Sequence, residues 1–253
     1  MIIGPRDAPR TWPGGLIAVP ALLAPLAVLL ARAGQRRFLL PILASAAIYP
    51  VMAALLLRGR RSASAQAALL WAASLSVSVI VITRRDPASM EGVVLNGAAY
   101  RDEMFGYIRS GLGRESDTAR FVPQHVLHLL AFSLLSAGSG GLLGIALGAV
   151  MVDYMSFYVG SLAAAGGAPA TALFLGWPPW AILRVTAFVL LGLCLAEPLL
   201  FAARRRLGYP PPPPAAPRRA WYLATAALLV TDLILKLVFA GDWAGILRPC
   251  LAP

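Results

Sequence analysis

The chain has 253 residues, of which 59% are hydrophobic and 13% charged, with a mean hydropathy of +0.74. A soluble domain carries about 25% charged residues, and apolar runs of roughly 20 residues, enough to cross about 30 Å of hydrocarbon, recur along this chain, which excludes a soluble globular fold. The net charge of +11 does not point to nucleic acid, because the positives stand as short clusters at the ends of apolar segments, Arg36-Arg37, Arg58 with Arg60-Arg61, Arg84-Arg85, Arg204-Arg205-Arg206 and Arg218-Arg219, where headgroup anchoring and orientation during insertion account for them.

The expected fold class is all-α: a polytopic transmembrane helix bundle of about seven helices with a short amphipathic extramembrane helical module. Residues 1–83 hold the first three membrane helices, at about 15–33, 38–57 and 65–83. Arg6 and Arg10 precede the first apolar run, and Ala31-Arg32-Ala33 fits a small-x-small cleavage pattern. The run is long for a signal peptide and contains Pro20 and Pro25, so an uncleaved first membrane helix is expected. Pro41 and Pro50 in the second helix are tolerated where neighbours re-satisfy the freed carbonyls.

Residues 84–122 form the sizeable polar insertion, with six arginines and six acids. Tyr100, Met104 and Ile108 recur at spacing four, which predicts an amphipathic helix lying on the membrane surface or packed on the bundle, ended by Gly111 and Gly113. The balanced charge suits a protein partner docking on 84–122.

Residues 123–203 carry helices four to six. A turn at Ser136 to Gly141 divides the apolar run into helices at 123–137 and about 141–165; one re-entrant unit over 123–165 would reduce the total to six. Gly141, Gly144 and Gly148, with Ala146 and Ala149, make a small-residue face that permits close helix approach. The stretch 166–178 reads as a Gly/Ala/Pro-rich loop, and Trp177 and Trp180 suit an interface belt before a helix at 180–203. An Arg/Pro-rich linker at 204–219 contains a stiff polyproline spacer, Pro210 to Pro214, and residues 220–253 hold the last membrane helix, at about 220–240, and a tail. The five arginines of the linker favour a cytoplasmic face for it, but with seven helices Arg32, Arg36, Arg37 and the arginines of 84–122 then fall outside, so the charges set no single orientation. Abundant Ala, Arg, Gly and Pro point to a GC-rich bacterial genome, hence a multi-pass protein of the cytoplasmic (inner) membrane. Cys194 and Cys250 fix no disulfide.

The two histidines of the chain, His125 and His128, stand three apart, so both imidazoles lie on one helix face. They suit proton handling, or a metal with a third ligand from Glu115 or Asp117 just upstream or from an acid on another helix. The plainer reading is that they bond to carbonyls or lipid phosphate at headgroup level. Asp153, Glu197, Asp232 and Lys236 fall within apolar segments, where ionisable groups face the bundle interior and pair. Asp232 and Lys236, at i and i+4, suit a self-satisfied salt bridge. Asp153, Glu197 and Asp232 are candidates for one polar interior track.

There is no P-loop, His-Glu-x-x-His, Cys-x-x-Cys or Gly-x-Ser-x-Gly pattern. The polar module followed by His125-x-x-His128-Leu129-Leu130 resembles the second membrane helix of rhomboid-type intramembrane proteases, over about twenty residues. The Gly-x-Ser-Gly nucleophile and later histidine of that family are absent. Phe121-x-x-x-His125 resembles one motif of the CAAX-type glutamate proteases, whose paired glutamates are absent here. Neither resemblance carries over a catalytic residue. The expected function is a non-enzymatic membrane subunit for small-solute or ion translocation, or for scaffolding a membrane complex. The alternative is an intramembrane hydrolase using His125 and His128, with Glu115 and a metal.

Overall fold

The computed structural model describes residues 15–210 and 217–252, and every regular element among them is helical. The α-helices are α1 Gly15–Gly34, α2 Leu39–Leu56, α3 Arg61–Arg85, α4 Pro87–Glu91, α5 Gly97–Ser110, α6 Thr118–Ser139, α7 Leu142–Ala164, α8 Pro169–Leu175, α9 Pro179–Arg206 and α10 Arg218–Leu247, followed by a 3₁₀ turn at Arg248–Leu251. Seven helical stretches are long and apolar enough to cross a membrane, built on α1, α2, α3, α6, α7, α9 and α10. Arg6, Arg10 and most of the polyproline run, Pro211 to Pro214, lie outside the described residues.

Successive long helices alternate in direction, so the bundle has two ends. At the arginine end, Arg204 Nη1 donates to the Leu57 carbonyl at 2.7 Å, and Arg218 Nε lies 3.1 Å from a Glu197 oxygen. At the module end, Arg32 Nη2 meets Asp86 Oδ2 at 2.8 Å, and the Cys250 thiol donates to the Ala168 carbonyl at 3.5 Å. Both cysteines are buried and unbridged.

Local chemistry sets the boundaries. Gly140 (φ +61°) and Gly141 (φ +95°) turn α6 into α7 through two successive left-handed residues, a conformation that side chains resist. The turn expected there is present, and α6 and α7 form two separate helices rather than one re-entrant unit. Asp117 caps α6 by accepting from the Ala119 N–H at 3.0 Å. Helix α6 therefore starts at Thr118, five residues before the expected Pro123, which sits inside it. Asp86 caps α4, accepting from the Ser89 N–H at 3.2 Å. That N–H, then the Ser89 side chain and Arg32, hold the Asp86 carboxyl below its ordinary pKa.

Helix α7 is the central helix. Every residue from Ser156 to Ala163 is buried, so it has no face left for lipid along that stretch. Gly160 makes this possible: a Cβ there would stand 2.6 Å from the Thr83 Cβ and 2.8 Å from the Ile80 carbonyl of α3. The small-residue face expected around Gly144 packs Gly144 on Ser136 of α6, while Gly148 meets only Phe132, at 3.9 Å.

Several expectations need correction. Helix α3 begins four residues early and takes Arg61 into the helix. The stretch 166–178 contains α8 rather than loop alone, and α10 runs seven residues past the expected 240. Trp180 is buried with its ring 5.3 Å from that of Trp243, so it is a packing residue and not part of an interface belt. Helix α5 packs on the bundle: Met104, Tyr107 and Ile108 are buried in a cluster with residues of α7 and α10, and the Tyr107 hydroxyl donates to the Ala240 carbonyl. The charged residues of the module pair largely among themselves, Arg101 with Glu91 and Asp102, Arg114 with Glu103, Arg120 with Asp117. Burial holds the Glu103 carboxyl above its ordinary pKa, with Arg114 opposing the shift.

Candidate functional site

Helix α6 stands against α7 and α9, and a cavity lies between it and the rest of the bundle, lined from α2, α3, α5, α6, α7 and α9. Its enclosed room is about 100 Å³, where one water needs roughly 10–15 Å³. Counting the open mouth, the empty space is about 1070 Å³.

The two halves of this chamber differ chemically. Toward the module end it is lined by Tyr100, Glu115, Gln124, His125, His128 and Arg184. Toward the arginine end its lining is apolar, with Ile48, Met52, Ile145, Val189 and Leu193, and Ser136 as the exception. The helical period explains the division. Gln124, His125, His128, Phe132 and Ser136 form one face of α6, and Arg184, Val185, Phe188, Val189 and Gly192 one face of α9, each polar only near the module end.

Two ion pairs close the polar half. The Arg184 guanidinium grips Asp232 with two bonds, Nε to Oδ2 at 2.9 Å and Nη2 to Oδ1 at 2.7 Å. Lys236 Nζ donates to Glu115 Oε2 at 2.7 Å and lies 4.5 Å from the centre of the Phe121 ring. The salt bridge expected between Asp232 and Lys236 is therefore not formed. A same-helix pair contributes only about 0.2–0.5 kcal/mol, whereas the forked guanidinium matches a carboxylate with two charge-assisted bonds. The cluster holds two cations and two carboxylates and is neutral as a set. A second, smaller void shares Tyr100, Glu115, Met155, Ala181 and Arg184 with the chamber, so the two spaces meet at Arg184 and Glu115.

His125 Nδ1 lies 2.8 Å from the Phe121 carbonyl. A carbonyl only accepts, so Nδ1 carries the proton and Nε2 is the acceptor of the neutral ring. That Nε2 is buried without a partner among the described residues. The Nε1–H of Trp71 and the Oγ of Ser136, both on residues lining the chamber, are also buried and unpartnered. Leaving such a group unmade costs about 1–3 kcal/mol. These atoms have almost no accessible surface, so they are sealed in the wall beside the chamber rather than open to it.

The other candidate residues lie elsewhere. Glu197 is 1% exposed and binds Arg61 through two bonds, of 2.6 and 2.7 Å, at the arginine end. Asp153, on α7, is 2% exposed, and neither carboxyl oxygen has a partner among the described residues. Neither residue lines the chamber, and neither does Asp232, so the three acids form no common track. Among the described residues no group of three or more His, Cys, Asp or Glu stands together to hold a metal, and Glu115 is engaged with Lys236.

Four residues of consequence escape the sequence reading. Arg184 carried a legible signal, a lone arginine inside the apolar run of α9. Arg61 read as a headgroup anchor because its partner is 136 residues away. Trp71 and Ser136 are ordinary membrane-helix residues until the space beside them is seen. Comparison with known proteins finds no counterpart: no family model matches the chain, and neither does any curated protein or solved structure.

Proposed function

We propose that this integral membrane protein is a non-enzymatic subunit that binds a small solute in the α3/α6/α7/α9 chamber and passes it through or along the bilayer. The supporting observation is the chamber itself, polar at one end and apolar at the other, with an ion cluster where it meets the second void. We further propose a bacterial cytoplasmic membrane with the arginine end inward, a reading that the arginines of the 57–61 and 206–218 connections favour and that Arg36 and Arg37 at the other end oppose. The scaffolding role expected for 84–122 has less behind it, because the apolar stripe of α5 is covered by α7 and α10 and most of the module's acids are paired with its own arginines.

The hydrolase reading keeps one observation in its favour: His125, whose Nε2 has no partner among the described residues, lines a chamber that His128 and Glu115 also line. Against it, Ser136 lies eleven residues along α6 from His125, about 16 Å at ~1.5 Å per residue, so the imidazole reaches no nucleophile there. Two imidazoles without a third donor are also a poor match for a metal site.

The test of the transport reading is Gly148→Leu. This residue lines the chamber, and a Cβ on it meets nothing closer than 3.9 Å, so a leucine side chain sets out into open space. In a strain whose own copy is deleted, the variant is expected to reach wild-type abundance in the membrane and fail to restore the wild-type phenotype. Full restoration would show that the chamber has no part in the function.

A further inference from the structure

The four charges where the chamber meets the second void admit a second way of pairing. We infer that Arg184, Glu115, Asp232 and Lys236 form the gate of the solute path. It opens by exchange of partners, from Arg184–Asp232 with Lys236–Glu115 to Arg184–Glu115 with Asp232–Lys236, which frees α10 and widens the second void. This assignment rests on the solute-binding reading above and adds its regulation.

Three observations carry it. The first is that the path is shut at this point. The second void lies beside Met104 and Tyr107 of α5, and its room is about 20 Å³ against about 100 Å³ in the chamber. One water needs roughly 10–15 Å³, so the second void takes a water or two and nothing larger. A solute held in the chamber goes on toward the module end only when this space widens. Arg184 and Glu115 line both spaces, so they stand where the widening has to occur.

The second observation is that the other partners are within reach. Asp232 and Lys236 stand one turn apart on α10, the spacing at which opposite charges pair along a helix, and both are buried. Arg184 lies within the electrostatic field of Glu115, and Lys236 within that of Asp232. Either arrangement gives every charge a partner. The exchange therefore avoids the unmatched buried charge that makes loss of one member of a pair so unfavourable.

The third is what the present pairs hold in place. Past Thr225 the buried residues of α10 are Asp232, Lys236, Ala240, Ala244 and Leu247. Alanines bury little apolar area, so the grip on the middle of α10 falls to its two charges. Arg184 ties Asp232 to α9, and Lys236 ties α10 to Glu115, in the segment before α6. In the exchanged pairing Asp232 and Lys236 satisfy each other within α10 and both ties are gone. Trp243 of α10 is a wall of the second void, so outward movement of α10 enlarges that space. Two pairings with the same charge balance and different helix positions make a bistable element.

The experiment starts with Glu115→Gln, Arg184→Gln and their combination, measured by thermal unfolding in maltoside micelles. In the present pairing these residues belong to different ion pairs, and independent losses add. Exchange predicts instead that the double variant unfolds no lower than either single one, because Asp232 and Lys236 are then left to pair with each other. Additive losses overturn the inference, as does a double variant that fails to fold. Opening is read with Met104→Cys, a buried position lining the second void, in a chain with Cys194 and Cys250 replaced by alanine. A minor state is populated at about 0.1–10% before a shift, so a charged thiol reagent is expected to modify this cysteine about tenfold faster or more in the double variant. Glu115→Gln with Lys236→Met is the comparison, since it keeps the Arg184–Asp232 pair and has no second pairing. Its rate is expected not to exceed that of the chain with all four charges. Equal rates in the two double variants overturn the exchange and leave the complementation result for Gly148→Leu untouched, whereas full complementation by Gly148→Leu removes the solute reading and this gate together.

Discussion

Replacing Glu197 with alanine lowers the stability of the bundle by about 3–5 kcal/mol, the cost of breaking a buried ion pair by deleting one partner. The carboxylate is 1% exposed and bonds Arg61, itself 4% exposed, at 2.6 and 2.7 Å, with Arg218 alongside at 3.1 Å. These contacts tie the first turns of α3 and α10 to α9. For a chain of this size the loss corresponds to a midpoint about 10 °C lower or more, read by thermal unfolding in detergent. The double replacement Arg61→Met, Glu197→Leu removes both buried charges and recovers most of the loss, because well-packed apolar side chains of similar volume often equal or exceed such a pair. A single variant as stable as wild type would mean that the pair contributes nothing to the fold.

Asp232→Ala is expected to have an effect of the same size, about 3–5 kcal/mol, with a functional loss added. Asp232 is 2% exposed and fixes the Arg184 guanidinium through two bonds in the polar half of the chamber. Without it a charged side chain stays in an apolar bundle with no carboxylate to orient it. Here the double variant separates structure from function. Arg184→Met with Asp232→Leu restores the unfolding midpoint yet leaves the deletion strain uncomplemented, because the chamber has lost its guanidinium. Recovery of both stability and complementation would reduce this pair to a structural role.

The sequence carried the architecture well where the physics is local or periodic. Apolar stretches of bilayer length located all seven helices long and apolar enough to cross a membrane, and Ser136 to Gly141 marked the α6–α7 turn because successive glycines favour left-handed backbone. The stripe Tyr100, Met104 and Ile108 identified α5, although not that α7 and α10 would cover it. The site was legible only in part. His125 and His128 stood out by residue type and share the chamber wall as their spacing predicts. Glu115 lines it too, but as the partner of Lys236, a contact across 121 residues that no local pattern encodes. The pairing of Asp232 failed for the same reason: the same-helix lysine is the neighbour visible in sequence, while the better-shaped partner, Arg184, arrives from another helix. Asp153 drew notice as an intramembrane acid, and the fold buries it away from the chamber with no protein partner.

The central claim, that a polar-ended chamber inside the bundle admits material from water, is tested most directly by cysteine accessibility in membranes. In a background with Cys194 and Cys250 replaced by alanine, single cysteines at His128 and Gln124, which line the chamber, are compared with one at Leu134, which is 73% exposed on the outer face of α6. A charged, membrane-impermeant thiol reagent is expected to modify the two lining positions and leave the cysteine at Leu134 untouched, since lipid covers that face. Lining positions as unreactive as Leu134→Cys would contradict the account.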